Sequence, residues 1–466
     1  MYCPPAFAES RPEVLAALIR ANPLGLLVTV GADGPVANPL PLQLTEDGRL
    51  RAHLARANPH IRDLETSPLL LFGLLLLGGM ASGELSRRLV NLPRTTGYVF
   101  FGLLMGNSGL QWVDPYILGS AQFFIYPAIG LILFELGHRF PLTGQGLDRK
   151  LILLSATETS AVFALVTGVM CLFGFDLAEA LFAAAIAAST SPAITIATSS
   201  DIGAEGPLTS RLFGLVALNG CVAFAAITII LPMLVAGGTA DAGPGYIDAL
   251  VHVTASLLLG FGLSFVACRS AGWLGPHAEH QHLMLLGLII IGTGLPLSLD
   301  MSPLLALLTF GIGTRLADRH KQVIAIRIAS DARVFLVVTF VLAGAALELG
   351  LLLDYWPMAL AFVFTRFGAR WAALYFTGRH LGGASKDAFF TAVGLLPMSS
   401  VALVLLGDAG ALDGGTGPAL AGTLMGAIVL MQLVGPICTQ SAVRGFGEAR
   451  RYVARRKSPS QGAVTR

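Results

Sequence analysis

The chain has 466 residues, of which 54% are hydrophobic and only 12% charged, and its formal net charge is +2. Soluble domains carry about 25% charged residues, so a chain this apolar cannot keep its surface wet, and most of it must face lipid. The small net charge gives no footprint for a nucleic-acid partner. The scattered Cys3, Cys171, Cys221, Cys268 and Cys438 have no spacing for a metal site or a disulfide framework.

The first stretch, "MYCPPAFAESRPEV", lacks the apolar core of a cleavable signal. "ESRPEVLAALIRANP" reads as a short amphipathic helix ended by Pro23. "LGLLVTV", "PVANPLPLQL" and "LRAHLA" read as three strands, separated by the turns "GADG" and "EDG". Met1–Glu9, Ala21–Thr29, Ala37–Pro41 and Ala52–Pro59 resemble, in order, the opening of the FMN-binding negative transcriptional regulators of protease production, with Pro39 where that family usually has His. The resemblance stops where residues 1–67 end, at about half the length needed to close a flavin-binding split barrel and bury its core. This segment is therefore expected to be a truncated α/β piece with open strand edges. FMN is expected as a cofactor only if the piece functions; otherwise none is expected.

From Leu69 the pattern changes to apolar runs long enough to cross a bilayer as helices. About thirteen can be drawn, near 68–84, 95–109, 117–137, 151–173, 177–199, 211–236, 247–268, 282–299, 302–316, 332–352, 356–377, 387–406 and 418–438. "SRRLVNLPR", "HRFPLTGQGLDRK", "RLADRHKQVIAIRIASDAR", "RHLGGASK" and the tail "RRYVARRK" are basic, whereas the loops between them are neutral or acidic. The basic loops fall on one face, which the positive-inside rule makes cytoplasmic. The C-terminus, including a basic tail over 450–466, is then inside, and an odd number of spans puts the N-terminus outside.

Two spans are interrupted by residues that helices avoid. The fifth carries Ser189, Thr190, Ser191 and Pro192 mid-span, and the twelfth Gly394, Pro397, Ser399 and Ser400. If spans 1–6 and 8–13 are repeats, the breaks occupy matching places, and an odd offset of seven makes the repeats inverted. Such paired interruptions point to a transport site made of broken helices. Pro192 suits the first turn of a second half-helix, and the freed carbonyls with the Thr/Ser hydroxyls are expected to ligate a small cation.

Five stretches in order then resemble the monovalent cation/proton antiporter superfamily of the sodium/hydrogen exchanger type. They are "NLPRTTGYVFFGLLMGNSGL", "ASTSPAITIATSSDIGAEGPLTSRL", "FLVVTFVLAGAALEL", "LLPMSSVAL" and "VGPICTQSAVRGFGEA". The resemblance spans residues 68–449 and implies an all-α polytopic membrane protein with inverted repeats, two discontinuous helices, a mobile core domain and a dimerisation domain. It implies exchange of Na⁺ or K⁺ for protons by alternating access, in a homodimer of the bacterial-type inner membrane. The resemblance implies a transporter and not an enzyme, and no catalytic residue or metal centre is expected. One departure stands out: where the family holds an Asp-Asp or Asn-Asp pair in the sixth span, this chain has Asn219 and Gly220. A carboxylate is what lets a proton and a cation compete for one site, and Asn219 carries no proton near neutral pH.

Glu158, about seven residues into the fourth span, is the deepest remaining acid and the expected proton carrier. A structural link to an arginine is its other reading. Glu135 is expected to face interfacial water beside His138 and Arg139. Arg366 sits mid-span in the eleventh run with Arg370 one turn nearer the cytoplasm on the same face. Both match the part of the family pattern that supplies a basic residue near the broken helices, and the role implied is to neutralise half-helix carbonyls or to compete with the cation for a carboxylate. The histidines of "GPHAEHQH" read as a solvated loop. Two alternatives remain open: a degenerate, non-exchanging protein of this fold, and an FMN-binding regulator or sensor acting through the N-terminal segment.

Overall fold

The computed structural model describes residues 24–31, 34–44, 50–52, 68–113, 122–143, 146–235, 243–275, 278–299, 301–318, 328–399, 402, 405–406 and 417–449. The helix expected before Pro23, Ser400 and the tail 450–466 lie outside them. The chain divides into two compact units, Met1–Leu75 and Leu76–Arg466.

In the first unit the three expected strands form β1 (Leu24–Gly31), β2 (Gly34–Leu44) and β3 (Leu50–Ala52). They make an antiparallel sheet in the order β1-β2-β3, with Leu24 opposite Pro41 and Leu42 opposite Ala52. Gly31 pairs with Gly34 at the end of the first hairpin, where the sequence puts the "GADG" turn.

The helical part follows the expected spans closely. α1 (Pro68–Leu89), α2 (Arg94–Met105), α3 (Gln122–His138) and α4 (Arg149–Leu172) are the first four. The fifth span is split into α5 (Leu177–Ala188) and α6 (Pro192–Asp201). α7 (Pro207–Val235), α8 (Gly243–Leu274), α9 (Ala278–Ser298), α10 (Pro303–Ala317) and α11 (Ile328–Ala345) follow. α12 (Leu349–His380) is the eleventh span, α13 (Ser385–Gly394) the first half of the twelfth, and α14 (Pro418–Phe446) the last. Six of these segments, counting α5 and α6 as one, are long and apolar enough to cross a membrane by themselves. The protein is a multi-pass membrane protein.

Local chemistry sets the boundaries. Asp148 caps α4 by accepting from the Lys150 amide at 2.9 Å, and Glu179 reaches back to the Asp176 amide at 3.3 Å at the start of α5. Ser191 accepts from the Ile194 amide at 3.3 Å while Pro192 takes the first helical position of α6, where no amide hydrogen is needed. α12 and α14 run past the drawn spans, over Leu349–His380 and Pro418–Phe446. α13 stops earlier than Pro397, at Gly394, since the residues before a proline are pushed out of helical geometry.

Within the second unit, α2, α3 and α8 to α11 pack chiefly against one another, and α4 to α7 with α12 to α14 form another group. α6, α7 and α14 are the helices of the second group that meet the first. Small residues permit the tightest contacts: a Cβ on Gly102 of α2 would lie 1.9 Å from the Val341 carbonyl oxygen of α11. Apolar side chains such as Leu172, Phe265 and Trp273 stay exposed on the outside, as lipid contact demands.

Candidate functional site

The two interruptions meet. The Ser191 amide donates to the Pro397 carbonyl at 3.1 Å, and the Thr190 hydroxyl to the Leu395 carbonyl at 3.3 Å. Each half-helix that stops here, α5 and α13, ends with last-turn carbonyls that have no intrahelical donor, and each end carries about half a negative charge. The residues of this crossing are buried, and side chains supply the donors.

Two arginines of α12, one turn apart, provide them. Arg366 donates through Nε to Ala187 O at 2.7 Å and through Nη2 to Ser189 O at 2.8 Å and Leu395 O at 3.2 Å, while Nη1 bonds Leu396 O. Arg370 donates to Thr190 Oγ1 at 2.7 Å, Leu395 O at 3.0 Å, Ala187 O at 2.9 Å and Ala188 O at 2.7 Å. Both side chains are fully buried. The guanidinium fork, with five donors and a permanent charge, suits several carbonyls at once in a way an ammonium could not.

This corrects one expectation from the sequence. The freed carbonyls at Ala187–Ser189 and Leu395–Leu396 are occupied by Arg366 and Arg370, so they hold the crossing together instead of facing a cation. Thr190 is bonded on both sides, Ser191 caps α6, Pro192 starts it, and Pro397 takes the Ser191 amide. Ser399, two residues past Pro397, is buried.

Glu158 of α4 joins this cluster. It is fully buried, its Oε1 lies 3.0 Å from Arg370 Nε, and its Oε2 accepts from Asn219 Nδ2 at 2.6 Å. The Arg370 contact is off the hydrogen-bond line, so charge rather than alignment holds it. Asn219 Oδ1 accepts from Ser155 Oγ at 2.7 Å and from Thr159 Oγ1 at 3.1 Å, which fixes its amide with the nitrogen toward the carboxylate. Two arginines, one carboxylate and two half-charges of helix ends bring the cluster close to neutrality. Gly220 points elsewhere: a Cβ there would meet Leu308 Cδ2 of α10 at 3.2 Å, in the seam between the two helix groups.

A cavity of about 450 Å³ is lined by Asp148, Lys150, Arg211 and Asp387 and also by Leu154 and Leu374. Leu154 and Leu374 lie one turn from Glu158 and Arg370 on the same helices, so the cavity lining comes within about one helical turn of the buried pair.

Elsewhere the outcome differs from expectation. Glu135 does not face open water; it is buried and paired with Arg139, which also lies 5.5 Å from the Phe213 ring centre. His280 and His282 belong to the first two turns of α9 and not to a loop. Ser155 and Thr159 escaped sequence reasoning, although "SATET" places Ser155, Glu158 and Thr159 on one helix face. Glu448 escaped it too: its carboxylate accepts from the Leu208 and Thr209 amides at 2.6 and 2.8 Å and from the Thr209 hydroxyl at 2.6 Å, capping α7 from far along the chain.

Comparison with known proteins agrees with this architecture. The model of an FMN-binding domain matches residues 1–73. Two structures of the sodium proton antiporter MjNhaP1 from Methanocaldococcus jannaschii superpose on the chain. One, at pH 8, has a TM-score of 0.64 and 18% identity, covering 82% of this chain and 99% of the other. The second, from electron microscopy, has a TM-score of 0.66 and 16% identity, covering 82% and 98%. At that identity the likeness concerns the fold. A comparison with curated proteins found no match. The model of the transmembrane sodium/hydrogen exchanger matches residues 72–445, most of the chain. The chain belongs to the sodium/hydrogen exchanger family.

Proposed function

We propose that the protein exchanges a monovalent cation, Na⁺ or K⁺, for protons across a bacterial-type inner membrane by alternating access, as a homodimer with the C-terminus in the cytoplasm and the N-terminus outside. The observation that carries this is the buried Glu158, bonded to Asn219 and beside Arg370 at the crossing of two broken helices. A proton and a monovalent cation each change the charge of that cluster by one unit, so binding of one opposes binding of the other. Displacement of Arg370 Nε from Oε1 is the step that frees the carboxylate for a cation, because that contact is held by charge, which an incoming cation can replace. The cavity behind Leu154 and Leu374 supplies a route for protons from the basic-loop face. The seam at Gly220, where the second helix group slides against α10, supports a rigid-body exchange of access.

Vesicles containing the purified chain test this, with a pH-sensitive dye inside and Na⁺, K⁺ or Li⁺ added in turn. Cation-driven proton flux that disappears in Glu158→Gln is expected. Flux undiminished in Glu158→Gln refutes the assignment of the proton to this residue. Absence of flux in the wild type with any cation supports the degenerate reading, which Gly220 favours by lacking the family's carboxylate. A second reading rests on the FMN-binding match over residues 1–73: flavin-dependent sensing by the N-terminal unit. Titrating the full chain with FMN and following flavin fluorescence decides it, since saturable quenching is required and the three strands β1–β3 supply little of a barrel.

A further inference from the structure

Gln432 of α14 is fully buried, and neither its amide oxygen nor its amide nitrogen has a hydrogen-bonding partner. Whichever way the amide is turned, a polar group held this way is costly unless it serves a ligand. Its surroundings are fixed by its neighbours on the same helix face. Thr439 donates to the Gly394 carbonyl at 3.2 Å, and a Cβ on Gly435 would lie 2.8 Å from Pro397 Cα. Gln432, Gly435 and Thr439 are spaced i, i+3 and i+7 and share one face. Thr423, nine residues earlier and so on the opposite face, instead meets Met358 of α12 at 3.7 Å. α14 therefore runs antiparallel along the break of the twelfth span, with Thr439 level with Gly394 and Gly435 level with Pro397. One turn further out, Gln432 comes level with Met398 and the buried Ser399.

The carbonyls on the inner side of this crossing are taken up by Arg366 and Arg370. On the outer side a neutral oxygen donor remains. We propose that Gln432 is a ligand of the transported monovalent cation, coordinating it through Oε1 on the outer side of the crossing. This rests on the exchange reading above. A carboxamide oxygen is a hard, neutral ligand suited to an alkali cation. Placed about one turn from the break, it gives the cation a foothold that does not depend on the protonation of Glu158. A neutral ligand tunes affinity without carrying a proton, so it acts on cation binding and not on the stoichiometry of exchange.

The test measures cation-dependent stabilisation of the purified full chain, with Na⁺, K⁺ and Li⁺ against choline, in wild type, Gln432→Leu and Gln432→Met. Ligand binding to the folded state raises the unfolding temperature with concentration. Gln432→Leu removes an unpartnered amide, so in choline it is expected to unfold at or above the wild-type temperature. The upward shift by the cation is expected to be lost, and in vesicles the apparent KM for the cation is expected to rise about tenfold or more, with kcat changed less. A cation shift of wild-type size in Gln432→Leu overturns the proposal and leaves exchange standing. A fall in unfolding temperature in choline for both variants also overturns it, because the amide would then be structural. No cation shift in the wild type, together with no proton flux, overturns the exchange reading and this proposal with it.

Discussion

Arg370→Ala should be among the most destabilising single substitutions in the chain, and Glu158→Gln in the same molecule should rescue much of the loss. Arg370 is fully buried, and its Nε lies 3.0 Å from Glu158 Oε1. Removing it leaves the carboxylate as a lone buried charge, which costs about 3–5 kcal/mol. The Ala187 and Leu395 carbonyls keep Arg366 as a donor, but Ala188 loses the 2.7 Å bond that only Arg370 makes to it. One stranded carbonyl adds about 1–3 kcal/mol, for a total of about 4–8 kcal/mol. Changing Glu158 to Gln removes the lone charge and keeps the Asn219 contact within reach, so the double variant should regain about 3–5 kcal/mol. Equilibrium unfolding in detergent of the wild type, both single variants and the double variant closes the cycle. A double variant no more stable than Arg370→Ala would refute the claim that charge compensation is what Arg370 provides. The sequence places Arg370 one turn nearer the cytoplasm than Arg366, yet the structure buries both fully, and only Arg370 contacts Glu158.

Gly220→Asp should add the family's missing carboxylate in the seam facing α10, since the atom its Cβ would crowd, Leu308 Cδ2 at 3.2 Å, is the end of a flexible side chain. Higher cation-driven proton flux in vesicles is expected, whereas Asn219→Asp should lower it, because a second carboxylate 2.6 Å from Glu158 forces one of the two to stay protonated. Glu448→Ala should lower stability by about 1–2 kcal/mol by uncapping α7, the helix that carries Asn219, with Glu448→Gln milder; unfolding midpoints check both. Arg94 of α2 and Asp201 of α6 pair at 2.7 Å across the two helix groups and are partly exposed. Asp201→Asn should therefore change stability by less than about 1 kcal/mol yet alter the exchange rate, and an unchanged rate would show that the pair does not resist movement between the groups.

The sequence by itself determined the membrane class, the spans, the two breaks and the three N-terminal strands. Each depends on a local property. Apolar run length fixes a span, because every backbone polar group in lipid must be satisfied within its own helix. Ser191 and Pro192 write the start of α6 in a cap and a ring that lacks a donor. The motifs of the exchanger family are likewise short and continuous. What the tertiary structure alone decided is which groups meet. Glu158 and Asn219 are 61 positions apart, and Arg370 bonds carbonyls about 180 positions away. The sequence marked the carbonyls of the breaks as cation ligands because they are freed there. The packing of α12 against the two breaks shows which carbonyls Arg366 and Arg370 fill, where the resemblance had implied only a basic residue nearby. It also shows that Asn219 turns inward to Glu158 while its neighbour Gly220 turns outward to α10. Neighbouring helix positions point about 100° apart, and hydropathy along a chain records how apolar each face is, not which partner it meets.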